Sequence, residues 1–247
     1  MGSTIRQFVL LPGMDGTGNL FERFIEALQK EFETTTVRYP TDAIHSYGEL
    51  LKLVQSAIPE SDLFVLLAES FSTPLAIQCA AANPANLRGL ILCAGFSSSP
   101  LSGWKRWVCR LLAPYLFRVT IPRFAIKQFL VGQGAPPELV TAVRKATSQV
   151  QHQVLRSRLR LIANCDAGLD LTRVNVPVLY LRAMGDRMVP IRCGEEIQRI
   201  NPRTKMEAIA GPHLILEREP QRCADAVARF VMQIEREAAA GSESAGA

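Results

Sequence analysis

The feature that most constrains this chain is a repeated alternation of short, almost wholly apolar runs with stretches whose apolar residues recur at helical spacing. Residues 5–11 form such a run, closed by Pro12-Gly13, and read as a buried strand feeding a tight turn. Leu20, Phe21, Phe24, Ile25 and Leu28 then recur with Glu22 and Glu26 between them, which predicts an amphipathic helix over 19–31. A second strand is expected at 34–39, rich in β-branched residues and ended by Pro40, followed by a helix marked by Leu50, Leu51, Val54 and Ile58. Strand 63–68, helix 74–82 and strand 89–94 continue the pattern, and 176–181 and 203–209 supply two more strands. Strands this apolar, separated by helices, predict an α/β fold: a mostly parallel sheet of about six strands with helices on both faces. Charges alternate along the last strand at Arg203, Lys205 and Glu207, as expected of a sheet edge.

Residues 97–170 interrupt the alternation with about three helical patterns and proline breaks at Pro122 and Pro136-Pro137, and read as an inserted helical cap. A chain of 247 residues with 48% apolar content fits one domain with an insertion better than two independent domains. The expected organisation is a core of 1–96 and 171–237, a cap of 97–170, and a disordered tail of 238–247. Every apolar stretch of membrane-spanning length is broken by polar residues. The N-terminus lacks the pattern of a secretory signal, so a cytoplasmic protein is expected. The six cysteines are spread without close pairs and only three histidines occur, so neither a metal site nor a cofactor is expected.

The chemistry concentrates where strand 63–68 meets helix 74–82, in Ala68-Glu69-Ser70-Phe71-Ser72. A serine on a sharp strand-to-helix turn exposes its hydroxyl beside the positive end of the helix, and close packing there admits only small neighbours two positions away. Such a serine needs a base within hydrogen-bond reach, itself oriented by a third group. Of His45, His152 and His213, the last lies in Ala210-Gly211-Pro212-His213, directly after the last strand, and is the expected base. Asp186, in the loop after the fifth strand, is the expected orienting acid. Asp166 and Asp170 precede that strand and would emerge at the opposite edge of the sheet, as turn or capping residues.

The order Ser70, Asp186, His213, with the PGMDGTG turn at 12–18 and the AESFS elbow, resembles the α/β-hydrolase fold of serine hydrolases over residues 5–236. The resemblance implies an oxyanion hole made of the backbone N–H groups of Met14 and Phe71, and a chain lacking the family's first two strands. This sequence departs from the family at Ala68 and Ser72, where glycines are usual, and at Pro12, where histidine is common. Serine at position 70 argues against the dehalogenase and epoxide-hydrolase branches, which use a carboxylate there.

In the cap, Trp104, Trp107, Val108, Leu111 and Tyr115 share one helical face, with Phe117, Phe124 and Phe129 further along. Trp104, Trp107, Leu111 and Phe124 are therefore expected to line an acyl-binding roof. Residues 71–165 carry 12 Lys and Arg against one acid, Glu138, a balance of +11 that leaves −6 for the rest of a chain with a total of +5. A segment this basic is suited to an acidic carrier protein or an anionic membrane surface. No nucleic-acid motif accompanies it. The expected activity is that of a carboxylesterase cleaving small-molecule acyl esters. The resemblance also admits a carboxylesterase of the biotin-synthesis type acting on carrier-protein-tethered methyl esters, an acyltransferase, or a ligand receptor built on a hydrolase fold.

Overall fold

The structure, a computed structural model, describes residues 4–28, 32–101, 103 and 121–245. Its centre is a six-stranded sheet of β1 (Gln7–Leu11), β2 (Glu33–Thr36), β3 (Phe64–Glu69), β4 (Leu87–Cys93), β5 (Val178–Ala183) and β6 (Lys205–Ile209). The strands lie in the order β2-β1-β3-β4-β5-β6, and every neighbouring pair is parallel. Side chains alternate across the sheet, so each strand contributes to two cores. Phe8, Leu10, Val65 and Leu67 pack on one face against α1 (Glu22–Leu28) and α7 (Pro220–Ala245). Val9, Leu11, Leu66 and Ala68 pack on the other against α2 (Tyr47–Ser56) and α3 (Thr73–Ala81), with α6 (Ile191–Ile200) further along. Burial on both faces is why these strands read as continuous apolar runs.

The topology locates the site. The chain passes from β1 outward to β2, then crosses back to β3 on the other side of β1, so the order reverses between β1 and β3. Their carboxyl ends lie side by side, with Leu11 opposite Ala68. Connections leaving two adjacent strands in opposite directions open a crevice at this edge.

Three expectations need adjustment. The strand expected at 34–39 pairs only over Glu33–Thr36 as β2; Tyr39 turns instead to the loop after β1, its N–H donating to the Gly16 carbonyl at 2.8 Å. The helix expected over 19–31 begins as a 3-10 turn, Asn19–Phe21, before α1. The tail expected from Ala238 is drawn into α7, which passes through the strong helix formers Ala238, Ala239 and Ala240 and continues to Ala245.

The inserted segment leaves and returns through one small closure: Ala167 N–H donates to Ser97 O at 2.8 Å and Ser99 N–H to Cys165 O at 3.1 Å. Its described part contains a π-helical turn at Ile126–Val131, α4 (Pro137–Ser148) and α5 (His152–Asn164). Ile126, Val131, Leu139, Val140 and Val143 form a core of their own that also takes in Leu214, beside His213.

Candidate active site

Ser70 adopts φ +49°, left-handed backbone that a side chain tolerates only at a cost of about 1–3 kcal/mol. The surroundings hold it there. Thr73, the first residue of α3, accepts from the Phe96 N–H (2.9 Å) and donates to the Ser70 carbonyl (2.8 Å). Ala68 and Ser72 are fully buried, so the small residues of the elbow meet the packing requirement. Ser72 also does what glycine could not: its hydroxyl donates to the Pro12 carbonyl and meets the Tyr39 hydroxyl at 2.8 Å. The elbow is thereby tied to the turn after β1.

His213 Nε2 lies 2.9 Å from Ser70 Oγ, and His213 Nδ1 lies 2.7 Å from Asp186 Oδ2. The other Asp186 oxygen accepts from the backbone N–H groups of Met188 (2.7 Å) and Val189 (2.9 Å), which fixes the carboxylate. The two loops are joined by a 2.7 Å bond from Gly185 N–H to Gly211 O. With a carboxylate facing Nδ1, the proton is assigned to that nitrogen, leaving the Nε2 lone pair for the serine hydroxyl. Burial of His213 opposes its positive charge, but the hydrogen bond and charge of Asp186, with a contribution from Glu69, hold the imidazole above its ordinary value. Ser70 itself is partly exposed.

The remaining candidates lie elsewhere. His45 Nδ1 is occupied by the Ala43 carbonyl at 3.1 Å, and His152 is exposed at the first residue of α5. Asp166 accepts from the Gly168 N–H, and Asp170 pairs with Arg173. Among the described residues, no group of three or more His, Cys, Asp or Glu is placed to hold a metal ion.

The turn after β1 is closed by the Gly16 N–H donating to Gly13 O at 3.0 Å, with Met14 and Asp15 at its corners. Arg158, from α5, reaches it through the core: Nη1 donates to the carbonyls of Met14 (2.9 Å) and Asp15 (2.7 Å), and Nη2 to that of Pro40 (2.8 Å). The guanidinium also lies over the Tyr39 ring at 5.7 Å. Gly16 takes φ +70°, and a β-carbon there would fall 2.5 Å from Arg158 Nη1, so glycine is required twice over. In the sequence Arg158 merges with the basic segment. Its signal was position: it follows Val154 and Leu155 by four and three residues, on the apolar face of the helix.

A cavity of about 350 Å³ opens beside Ser70. Gly13, Met14, Ser70 and His213 form its polar end; Phe96, Leu130, Val143, Leu159, Ile162 and Leu214 are among its apolar walls. Phe124 is not among the walls: it is 73% exposed, and the cavity is met instead by Ala125 and Phe129. Trp104, Trp107 and Leu111 lie outside the described residues. Two acids unremarked in the sequence sit beneath the site. Glu69, just before the serine, and Glu217, on the turn Ile215–Arg218, are both fully buried, and burial holds both carboxyls well above the usual range, with the charge of Glu217 adding to the rise at Glu69 and that of Asp15 to the rise at Glu217.

No protein-family model matches the chain. Over 244 residues, 90% of this chain, it is 27% identical to the biotin biosynthesis bifunctional protein BioHC of Cellvibrio japonicus, and it spans about half (47%) of that protein's length. Among solved structures it is similar to a bromoperoxidase from Bacillus anthracis (TM-score 0.81, 14% identity, 93% of each chain). It is likewise similar to the enol-lactonase of Burkholderia xenovorans LB400 (TM-score 0.79, 12% identity, 93% of this chain and 92% of that one). For MenH from S. aureus the TM-score is 0.75, at 16% identity over 95% and 96% of the chains. Six parallel strands in this order and these likenesses define the chain as an α/β-hydrolase-fold protein.

Proposed function

We propose that this protein is a serine hydrolase that cleaves carboxylic esters of small molecules with an apolar acyl or alcohol part. The observation that carries the reading is the hydrogen-bonded series Ser70–His213–Asp186 opening onto a largely apolar cavity. Ser70 Oγ attacks the ester carbonyl carbon while His213 Nε2 takes its proton; collapse of the tetrahedral species expels the alcohol, which receives that proton from the imidazolium. Water, deprotonated by the same nitrogen, then releases the acyl group and restores the serine. Asp186 keeps the imidazole in the required tautomer and stabilises its charge. The backbone N–H groups of Met14 and Phe71 serve as oxyanion donors, a role typically worth about 10²–10³ in rate per donor.

A panel of aryl esters with lengthening acyl chains, assayed with the wild type and Ser70→Ala, tests this. Hydrolysis by the wild type and a loss of about 10⁴-fold or more in kcat for the variant are expected; equal rates overturn the reading. A second reading, cleavage of a methyl ester carried by an acidic carrier protein, is supported by the likeness to a biotin-biosynthesis protein over nine-tenths of this chain. The exposed Arg123, Lys145 and Arg160 of the basic segment favour such a partner. A cytoplasmic location is supported by buried thiols not joined in disulfides at Cys79, Cys93, Cys193 and Cys223.

A further inference from the structure

Among the described residues Arg158 is the one buried cation of the basic segment, 3% exposed, and its partners are neither acids across a surface nor solvent but three backbone carbonyls. Two belong to consecutive residues, Met14 and Asp15, at the corners of the turn after β1. In a trans peptide the C=O and the following N–H point in opposite directions. Gly13 O, in the same peptide plane as the Met14 N–H, is engaged inside the turn by the Gly16 N–H, so the Met14 N–H points out of the turn; pinning the next two carbonyls to one rigid guanidinium fixes the other two peptides of the turn and so keeps that Gly13–Gly16 bond closed. The Met14 side chain packs against Val154 and Leu155 of the same helix and Val150 just before it. A second anchor, the Gln151 N–H donating to Thr41 O at 2.8 Å, fixes the start of α5 to the loop that supplies Pro40.

We infer that Arg158 is a positioning residue for the proposed ester cleavage: a guanidinium borne by the inserted segment holds the turn after β1 in the shape that presents the Met14 N–H to the developing oxyanion. The inference rests on the serine-hydrolase reading above. It makes the transition state, rather than substrate binding, sensitive to a residue that touches neither substrate nor serine. A planar fork is needed, because three carbonyls on two sides cannot be served by an ammonium.

The test compares wild type, Ser70→Ala, Arg158→Lys, Arg158→Gln and Arg158→Ala, using a p-nitrophenyl acyl ester and an alkylboronic acid as transition-state mimic, with thermal unfolding followed in parallel. For Arg158→Gln, kcat falls about 10²-fold, KM changes less than about threefold, and boronate affinity falls in step with kcat. Arg158→Lys retains the charge and remains impaired by about tenfold or more. Added ethylguanidinium restores part of the kcat of Arg158→Ala and none of that of Ser70→Ala. Arg158→Lys or Arg158→Gln with wild-type kcat and boronate affinity overturns the inference while leaving the hydrolase reading intact. So does a loss expressed in KM alone, or a loss that tracks only the unfolded fraction. An active Ser70→Ala overturns the hydrolase reading itself. Should Arg158→Ala and Arg158→Gln not fold, Arg158→Lys at full kcat still refutes the inference.

Discussion

In the proposed mechanism a protonated imidazole cannot accept the Ser70 proton, so the pH at which His213 loses its charge would set the lower limb of activity. Burial favours the neutral ring, yet the bond to Asp186 and the negative charges around it outweigh that and raise the value above the ordinary 6.5. The plot of kcat/KM against pH is therefore expected to climb through a midpoint above 6.5. In Asp186→Asn the midpoint moves to lower pH and kcat falls by about 10⁴, since an amide favours the wrong tautomer. A wild-type midpoint at or below the ordinary value would contradict this account. At this scale the sequence was legible wherever chemistry follows an apolar strand: Ser70, Asp186 and His213 stand out because each is a polar group placed just past a buried run. Arg158, Glu69 and Glu217 were not legible, because a buried charge and a solvated one have the same letter, and only three-dimensional surroundings separate them.

Among the elements, the end of β3 and the turn Ile215–Arg218 bring Glu69 and Glu217 together in the core. Their folded values are raised from an ordinary 4.5, so the folded protein holds protons that the unfolded chain has already lost, and stability declines as pH rises through that interval. Glu217→Gln keeps the shape and removes one ionisable group. Its expected effect at pH 8 is a stabilisation of about 1–3 kcal/mol, seen as roughly 2–4 °C in Tm per kcal/mol for a chain of this size. The gain shrinks toward zero near pH 5, where both carboxyls are protonated. A gain independent of pH would show that the two acids do not share this burden. Element boundaries followed the same division between legible and hidden. β1, β3, β4 and β5 are buried on both faces and could be read as strands, whereas β2 stops early because the ring and hydroxyl of Tyr39 are needed elsewhere, under Arg158 and against Ser72. Nothing in a run of β-branched residues announces such a diversion.

Over the whole molecule, the excess of positive charge in residues 71–165 bears on which ester the site serves. Free aryl esters carry no charge to attract, and their kcat/KM is expected to vary less than twofold between about 0.05 and 0.5 M salt. An ester tethered to an acidic carrier protein should lose about tenfold over the same range, as screening shortens the reach of the exposed cations. Salt-independent cleavage of the tethered ester would remove the carrier-protein reading and leave the small-molecule one standing. The general architecture was readable from hydropathy alone, because a parallel α/β sheet has few ways to be built. How the insertion engages the sheet was not readable, since helical spacing identifies an apolar face without naming what covers it.

That engagement bears on modularity. Leu214, next to the imidazole, belongs to the hydrophobic centre of the insertion, and its N–H is taken by Leu130 at 3.0 Å. A shortened chain joining β4 directly to β5 would thus strip the cover from the neighbour of the proposed base and lose Arg158 in the same cut. Loop-swapping experiments that treat the segment as an exchangeable accessory should yield folded sheets with crippled chemistry, unless the graft brings its own guanidinium and its own apolar seat for position 214.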